Sequence, residues 1–522
     1  MNLRFVFALS ASIMFSMMGS ANNITVSNVT TSQLNGTVRI SFDISWENSW
    51  RVSSTNNYDG AWIFLKFKDN DGSWNPLPFT GTNIVAPAGF TVTPSSNGAN
   101  NFMGLFIHRS SNGFGTASAV GVKAGIQSYP GVYDVKVFAL EMVYVPQGSF
   151  YVGNQGESGS NFRDGSTVNN YQVTGNGSTI NYGTTAGKLN DALETSFTGN
   201  LNGFPVGFGA FWIMKYELSM GAYRDYLNTL KYTQQVSRLY STTPPNSAKG
   251  TLLTPGIRGR LEIETPGDGT KPAVIGCDYD NDDIFNEAAD GEGIAMGFLN
   301  WTDIASFLDW ACLRPMTEFE FEKAARGPAP GITGEFAWGT GDIASSTDYI
   351  IANAGLNNES VSNASSVAGN AVYDLNYPGG AVRNGIFATA YSTRVSSGAG
   401  YYGAMELSGN MVEFCVTSAN PAGRSFTGKH GDGVLDNSGC ANVDYWPGLG
   451  GYYISTTPMP AYDGGFGVTA VAGVMKKGGG YSGFTSSATN LKIGTRTTPL
   501  ASTLNNSTKT NEAGIRGVRD AN

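Results

Sequence analysis

Hydrophobic and polar residues alternate along the first part of the chain. Apolar side chains take every second position in one segment, at Val38, Ile40, Phe42, Ile44 and Trp46. Successive side chains of a strand point to opposite faces, so this spacing predicts a half-buried β-strand. Short alternating segments of the same kind predict three more strands, at residues 61–68, 101–108 and 131–139.

Turn signals such as Asp71-Gly72 separate these segments, and helical patterning is lacking between them. Regularly spaced short strands of this kind favour an antiparallel β-sandwich. We therefore predict an immunoglobulin-like domain over residues 22–140, with a spacer or adhesive role. A second domain is predicted over residues 141–522, directly after the last strand and without a flexible linker.

Two helical regions stand out in the second domain. Ser219 is a good N-cap, and the residues after it place apolar side chains at helical spacing, at Tyr223, Tyr226, Leu227 and Leu230. A second helix is predicted at residues 303–310, closely followed by residues 317–325, where Thr317 and Glu320 form a capping box. The remainder reads as loop held by glycine, asparagine and short strands. So much loop needs metal ions or disulfides to order it.

Composition narrows the possible partners. Glycine accounts for 69 of the 522 residues, charged residues for 14%, and the net charge is −9. The chain has no run of lysine and arginine that could neutralise phosphates. We therefore expect no nucleic-acid partner.

The first 21 residues have the parts of a secretory signal. Arg4 supplies a positive start, an apolar run follows, and small residues at positions 19–21 suit cleavage. The run is short for a membrane span, which needs about 20 residues. We predict a secreted, periplasmic or cell-surface protein without a transmembrane segment after signal removal. In an oxidising compartment two disulfides could form, with three possible pairings among Cys277, Cys312, Cys415 and Cys440.

Motifs in a fixed order carry a family resemblance. Residues 142–153 resemble M-V-x-V-P-x-G-x-F-x-M-G, residues 314–327 resemble R-L-P-T-E-A-E-W-E-x-A-A-R-G, and residues 403–414 resemble G-L-Y-D-M-x-G-N-V-W-E-W. Shorter matches lie at residues 211–219, 477–481 and 514–516. On these motifs, residues 141–522 resemble the domain of formylglycine-generating enzymes, also called sulfatase-modifying factors. The resemblance implies an irregular α+β fold shared with C-type lectins.

The resemblance also implies a chemistry from which this chain departs. Formylglycine-generating enzymes bind copper(I) through two cysteines and oxidise a substrate cysteine with oxygen. Those two positions fall here on Gly483 and Ala488. Copper(I) is a soft ion that needs thiolates, so we expect no copper site. Related iron enzymes need two histidines and a carboxylate, but His108 and His430 lie in different predicted domains.

Calcium is the metal that the resemblance supports. In the family, two side-chain oxygens and two backbone carbonyls of one turn hold a calcium ion. Carried over, the side chains are Glu406 and Glu413 and the carbonyls belong to Gly409 and Met411. The family's second calcium site corresponds more loosely to another set, Asn353, Ala354, Asn384 and Ile386.

A further candidate metal loop begins at Asp278. Asp278, Asp280 and Asp282 stand at positions 1, 3 and 5 of an EF-hand-like pattern. The match then fails, because Asp283 replaces the turn glycine and Ala289 replaces the final acid. Calcium binding and a merely solvated acidic loop are both open.

Three functions follow from the resemblance. The leading one is a secreted, non-catalytic binding or structural protein with a calcium-stabilised domain, recognising protein or glycan at the cell surface through the polar region near residues 481–510. The second is an oxygen-dependent oxidoreductase of the sulfatase-modifying type with an atypical active site. The third is a component of a bacterial surface secretion or gliding apparatus, since such machineries use inactive relatives of this domain.

Overall fold

The computed structural model describes most of the chain after the first 22 residues. The described residues are 23–34, 36–96, 102–128, 134–157, 159–240, 243–254, 258–374, 379–389, 391–450, 467–482, 487–496 and 509–521. The predicted signal peptide and Gly483 lie outside these ranges. No helix among the described residues is long and apolar enough to cross a membrane.

The N-terminal part consists of antiparallel strands. They are β1 (Thr25–Leu34), β2 (Thr37–Val52), β3 (Asn57–Lys68), β4 (Trp74–Pro76), β5 (Phe90–Ser96), β6 (Phe102–Arg109), β7 (Gly113–Gly125) and β8 (Asp134–Val145). The four strands predicted from the sequence are confirmed within β2, β3, β6 and β8, for the residues that the structure describes. The immunoglobulin-like arrangement of these strands stays a prediction.

The second part has short strands and a few helices, as an irregular α+β fold requires. The strands are β9 (Phe150–Val152), β10 (Phe162–Asp164), β11 (Tyr171–Val173), β12 (Leu189–Asp191), β13 (Phe211–Met214), β14 (Leu261–Thr265), β15 (Val274–Cys277), β16 (Arg314–Pro315), β17 (Ile351–Ala352), β18 (Ser360–Val361), β19 (Val412–Val416), β20 (Val474–Lys477), β21 (Ala513–Gly514) and β22 (Gly517–Asp520). The helices are α1 (Met220–Leu227), α2 (Tyr232–Arg238), α3 (Trp301–Trp310), α4 (Glu318–Arg326), α5 (Arg394–Ser397) and α6 (Pro421–Arg424).

Two predicted helix starts are confirmed by their caps, whereas the helix predicted from residue 303 begins earlier, at Trp301, after its N-cap Asn300. Ser219 accepts a 3.2 Å hydrogen bond from the amide of Ala222 at the start of α1. Thr317 and Glu320 form the predicted capping box, with a 2.9 Å bond from the Thr317 amide to the Glu320 carboxylate. Helix α2 was not predicted. Its N-cap, Lys231, offers no acceptor side chain of the usual kind.

One sheet joins the two parts of the chain. Strand β3 pairs with β8, β8 pairs with β13, and β13 pairs with β22, all antiparallel. Among the described residues this sheet has 11 strands, and its main path runs from β1 to β16. The predicted domain boundary between residues 140 and 141 falls inside β8.

Strand β3 is buried on both of its faces. Ala61, Ile63 and Leu65 pack into a core with residues of β2, β6 and β7. Trp62 and Phe64 face the other way, into the core of the second part. The Trp62 indole donates a 2.9 Å hydrogen bond to the carbonyl of Ala311, just after α3. The N-terminal strands and the second part therefore pack directly against each other.

Candidate metal centre

The predicted calcium turn leads into β19 and depends on left-handed backbone. Gly409 has a φ of 94°, Asn410 a φ of 62° and Glu406 a φ of 55°. A side chain on Gly409 would place its Cβ 2.8 Å from the carbonyl oxygen of Val372. Glycine meets both the conformation and the close approach that this position requires.

Glu217, just before α1, fixes the turn in place. Its two carboxylate oxygens accept hydrogen bonds from the Asn410 side-chain amide at 2.5 Å and from the Met411 backbone amide at 2.9 Å. Burial raises the pKa of Glu217 well above its usual value, and the neighbouring Glu413 adds to the effect. Sequence reasoning used Glu217 only as part of a motif and missed its place in this cluster.

Glu413 has one paired and one unpaired oxygen. Its Oε1 accepts a 3.1 Å hydrogen bond from Arg516 Nε, and both side chains are fully buried. Its Oε2 is buried and has no hydrogen-bond partner. The space beside Oε2 exists because residue 478 is glycine, whose missing Cβ would otherwise collide with this oxygen. Burial raises the pKa of Glu413 to about 8.

Glu406 repeats this pattern. Its Oε1 accepts a 2.7 Å hydrogen bond from the amide of Gly385, whereas its Oε2 is buried without a partner. Burial raises the pKa of Glu406 to about 7. The glutamate at this position therefore presents one free oxygen, as Glu413 does.

The electrostatic balance of the cluster is negative when its acids are ionised. Glu217, Glu406 and Glu413 are buried carboxylates, and the guanidinium of Arg516 pairs directly with Glu413. The other nitrogens of Arg516 donate to the backbone carbonyls of Met214 at 2.8 Å and Met405 at 2.7 Å. Unpaired carboxylate oxygens are hard donors of the kind that calcium prefers. The groups of three acids whose oxygens lie within 4.8 Å of one another are all in the acidic loop near β15, among the residues that the structure describes, so calcium at this cluster stays a prediction. Without a cation, the raised pKa values mean that the cluster takes up protons instead.

The residues that correspond to the family's second calcium site do not share one environment in the structure. Asn384 is fully buried, and its side-chain amide donates a 2.7 Å hydrogen bond to the backbone carbonyl of Glu217, while its Oδ1 has no partner. Asn353 is exposed in a turn with a φ of 55°, next to the exposed Ala354. Asn384 thus belongs beside the first cluster, whereas Asn353 lies at the surface.

The acidic loop after β15 brings its carboxylates together. Asp278, Asp280 and Asp282 each offer an oxygen, and these atoms lie within 4.8 Å of one another. Asp280 also forms such a group with Glu287 and Asp290, and Asp278 forms one with Glu262 and Asp283. Asp278, Asp280 and Asp282 are therefore part of a larger cluster of acidic side chains.

The two predicted disulfides are absent from the structure, and this corrects the prediction. All four cysteines are free and buried. Burial raises the pKa of Cys312 and of Cys440 to about 11, and the pKa values of Cys277 and Cys415 are also raised. Burial disfavours the thiolate form, which is the form that binds metal or attacks a disulfide. The cysteines therefore act as small apolar core residues.

Ala488 and the two histidines, which the structure describes, offer no alternative centre. Ala488 starts a short 3₁₀ turn that ends at Leu491, and its side chain has no donor for a metal. His108 contacts Arg51 at 3.1 Å in the N-terminal part. His430 accepts a 3.0 Å hydrogen bond from the Asp520 amide, and burial holds its pKa well below the usual value. The residues that the structure describes at these positions do not fit a copper or iron centre.

A family model decides which family these motifs and this site represent. The model of the sulfatase-modifying factor enzyme 1-like domain matches residues 134–521. The chain belongs to this family. The match begins at the first residue of β8 and includes the whole Glu217–Glu406–Glu413 cluster, so the predicted resemblance is confirmed. A search of curated proteins found no match.

Proposed function

We propose that this sulfatase-modifying factor family member is a secreted, non-catalytic binding or structural protein whose family domain is stabilised by calcium. The proposal of secretion rests on the character of the first 21 residues. The ligand class that we propose is protein or glycan at the cell surface.

The non-catalytic proposal rests on the lack of the family's copper-binding cysteine pair. The family's oxidation chemistry needs a pair of cysteines that bind copper(I), and Ala488 stands at one of those positions. The four cysteines that the chain has are buried and free. Their raised pKa values keep them protonated near neutral pH, so they do not replace the missing pair.

The calcium proposal rests on the two unpaired carboxylate oxygens. Glu406 and Glu413 would supply side-chain ligands, and Gly409 and Met411 would supply backbone carbonyls. Bound calcium would neutralise the buried acids and cross-link the turn to β19. Glu217 holds the turn in shape through its hydrogen bonds with Asn410 and Met411.

A copper(I) titration tests the non-catalytic proposal. The purified chain competes for copper(I) with a coloured chelator under reducing conditions, and a formylglycine-generating enzyme with its cysteine pair serves as the positive control. We expect the chain to leave the copper on the chelator. Removal of one copper ion per chain would contradict the proposal and favour the oxidoreductase alternative.

A further inference from the structure

The acidic loop between β15 and residue 291 is held at both of its ends. At its start, the carbonyl of Cys277 accepts a 3.0 Å hydrogen bond from the amide of Asn286. At its end, the amide of Gly291 donates a 2.9 Å hydrogen bond to the carbonyl of Gly355. The ring of Tyr279 also lies directly against Gly355. The carboxylates of this loop are therefore presented by a fixed backbone.

Two of the acids predicted as ligands are used by the loop itself. Asp278 accepts hydrogen bonds from the amides of Asp282 at 3.1 Å and Asp283 at 3.3 Å, one with each of its oxygens. Asp282 accepts a 2.8 Å hydrogen bond from the amide of Ile284. These bonds explain the aspartates at the first and fifth positions as turn formers.

Asp290 is only half explained in this way, because a loop amide uses one of its two oxygens. It is 1% exposed, and its Oδ2 accepts a 2.8 Å hydrogen bond from the amide of Glu287. Its Oδ1 is buried without any partner. One carboxylate oxygen of Asp290 lies within 4.8 Å of a carboxylate oxygen of Asp280 and of one of Glu287. A buried charged oxygen without a partner is unfavourable unless a cation or a proton reaches it.

The surroundings leave this trio without a counter-charge. The nearby basic residues have other partners: Arg224 pairs with Glu292, Arg258 with Glu359 and Arg260 with Glu262. Among the described residues, no lysine or arginine forms an ion pair with Asp280, Glu287 or Asp290. Burial raises the pKa of Asp290 to about 7, and the charges of Asp280 and Asp278 act in the same direction.

We propose that Asp280, Glu287 and Asp290 bind a calcium ion, at a site separate from the Glu217–Glu406–Glu413 cluster. Asp290 forms the buried floor of the site, and the exposed Asp280 and Glu287 form its open rim, so an ion can enter from solvent. Oxygen ligands on a loop suit calcium, which accepts flexible geometry, better than magnesium, which demands a tight octahedron. This site does not depend on whether the chain is catalytic.

The ion would stabilise more than its own loop. Asp290 is next to Gly291, which is bonded to Gly355, and Gly355 lies between β17 and β18. Glu359 also accepts a hydrogen bond from the Gly355 amide at 2.9 Å. Calcium at Asp290 would therefore fix the contact between the acidic loop and the β17–β18 hairpin.

Terbium(III) luminescence on the full chain tests this proposal. Terbium takes calcium sites, and Tyr279, next to Asp280, is placed to sensitise an ion bound there. We expect a signal that calcium displaces and that Tyr279→Phe lowers without changing calcium binding, and terbium at the Glu217–Glu406–Glu413 cluster accounts for the rest. Asp290→Asn and the exposed Glu287→Gln should each weaken binding about tenfold or more, since affinity follows the number of charged ligands.

Two controls make the result specific. Asp268→Asn changes an exposed aspartate of the β14–β15 turn whose oxygen accepts loop amides, and it should bind terbium as the parent does. Glu413→Gln alters the buried cluster and should leave the Tyr279-dependent signal in place. Glu287→Gln lies at the surface and keeps the test valid if Asp290→Asn does not fold. A parent signal that Tyr279→Phe and Glu287→Gln both leave unchanged would overturn the proposal.

Discussion

Lys215 donates a 2.9 Å hydrogen bond to Glu141, and both side chains are almost fully buried. The same ammonium group lies 3.1 Å from Asp59 of β3. Asp59 in turn accepts hydrogen bonds from Trp46 at 3.1 Å and Ser49 at 2.8 Å. A lysine of the family domain therefore pairs with two buried acids, one from the N-terminal strands and one from the joining strand β8.

Replacing Lys215 with methionine should destabilise the whole protein. The change leaves Glu141 and Asp59 buried without their cation, and breaking a buried ion pair typically costs about 3–5 kcal/mol. Lys429→Met is the matched control, because Lys429 pairs with Asp444 at the surface, where such pairs contribute about 0–1 kcal/mol. Urea unfolding measures both losses. Equal losses for the two variants would contradict the role given to Lys215.

The stabilising effect of calcium should increase with pH. Glu406 and Glu413 have pKa values raised from 4.5 to about 7 and about 8 in the folded chain. Acids with raised pKa values bind protons more tightly when folded, so without calcium the free energy of unfolding falls as pH rises through this range. Calcium replaces those protons, so with calcium bound the free energy of unfolding no longer falls as the pH rises.

Thermal melts with calcium and with a chelator measure this effect. The difference between the two melting temperatures should be small at about pH 5 and larger at about pH 8. Glu413→Gln should reduce the pH dependence of that difference. A chelator that leaves the melting temperature of the parent unmoved at the higher pH would rule out calcium at this cluster.

Gly478→Ala should disrupt the cluster through the space beside Glu413. Gly478 has a φ of 81°, and an added methyl group would collide with the unpaired oxygen of Glu413. Gly36→Ala is the matched control, since Gly36 has a φ of 79° and nothing within 4 Å of the added carbon. We expect the control to lose only about 1 kcal/mol of stability, from backbone strain.

The two glycine variants should therefore differ in two measurements. Gly478→Ala should lose more stability than Gly36→Ala and should also lose the same part of the calcium response that Glu413→Gln loses. The control should keep that response. If both variants respond to calcium as the parent does, the free oxygen of Glu413 is not a ligand.

All four cysteines should be inaccessible in the folded protein. They are buried and free, and their pKa values are raised. A thiol reagent should label none of them rapidly under native conditions and all four after unfolding without reductant. Unfolded chains without any free thiol would instead indicate the two disulfides that the structure lacks.

The sequence predicted the local elements better than their assembly. Alternation located β2 because only one of its faces is apolar, and a capping box located α4. The separation into two blocks overlooked the continuous sheet, although the unbroken apolar run at residues 61–65 signals a strand buried on both faces. An alternating pattern was expected there, so the second face of β3 was not recognised.

In the candidate sites, too, the sequence predicted individual residues better than their arrangement in space. Motif positions identified Glu406 and Glu413, but Glu217 lies about 190 residues away in sequence and joins them only through the fold. In the acidic loop, the EF-hand pattern directed attention to Asp278 and Asp282. Their hydrogen bonds to loop amides, and the unpaired oxygen of Asp290, could be seen only in three dimensions.

The most direct test of the non-catalytic proposal is turnover of a peptide that contains Cys-x-Pro-x-Arg, followed by mass spectrometry. The full chain, loaded with copper(I) and supplied with oxygen and reductant, is compared with a formylglycine-generating enzyme that has its cysteine pair. We predict that the chain leaves the peptide cysteine intact while the control converts it to formylglycine. Conversion of the peptide by the chain over many turnovers would contradict the proposal that this family member lacks the oxidase activity.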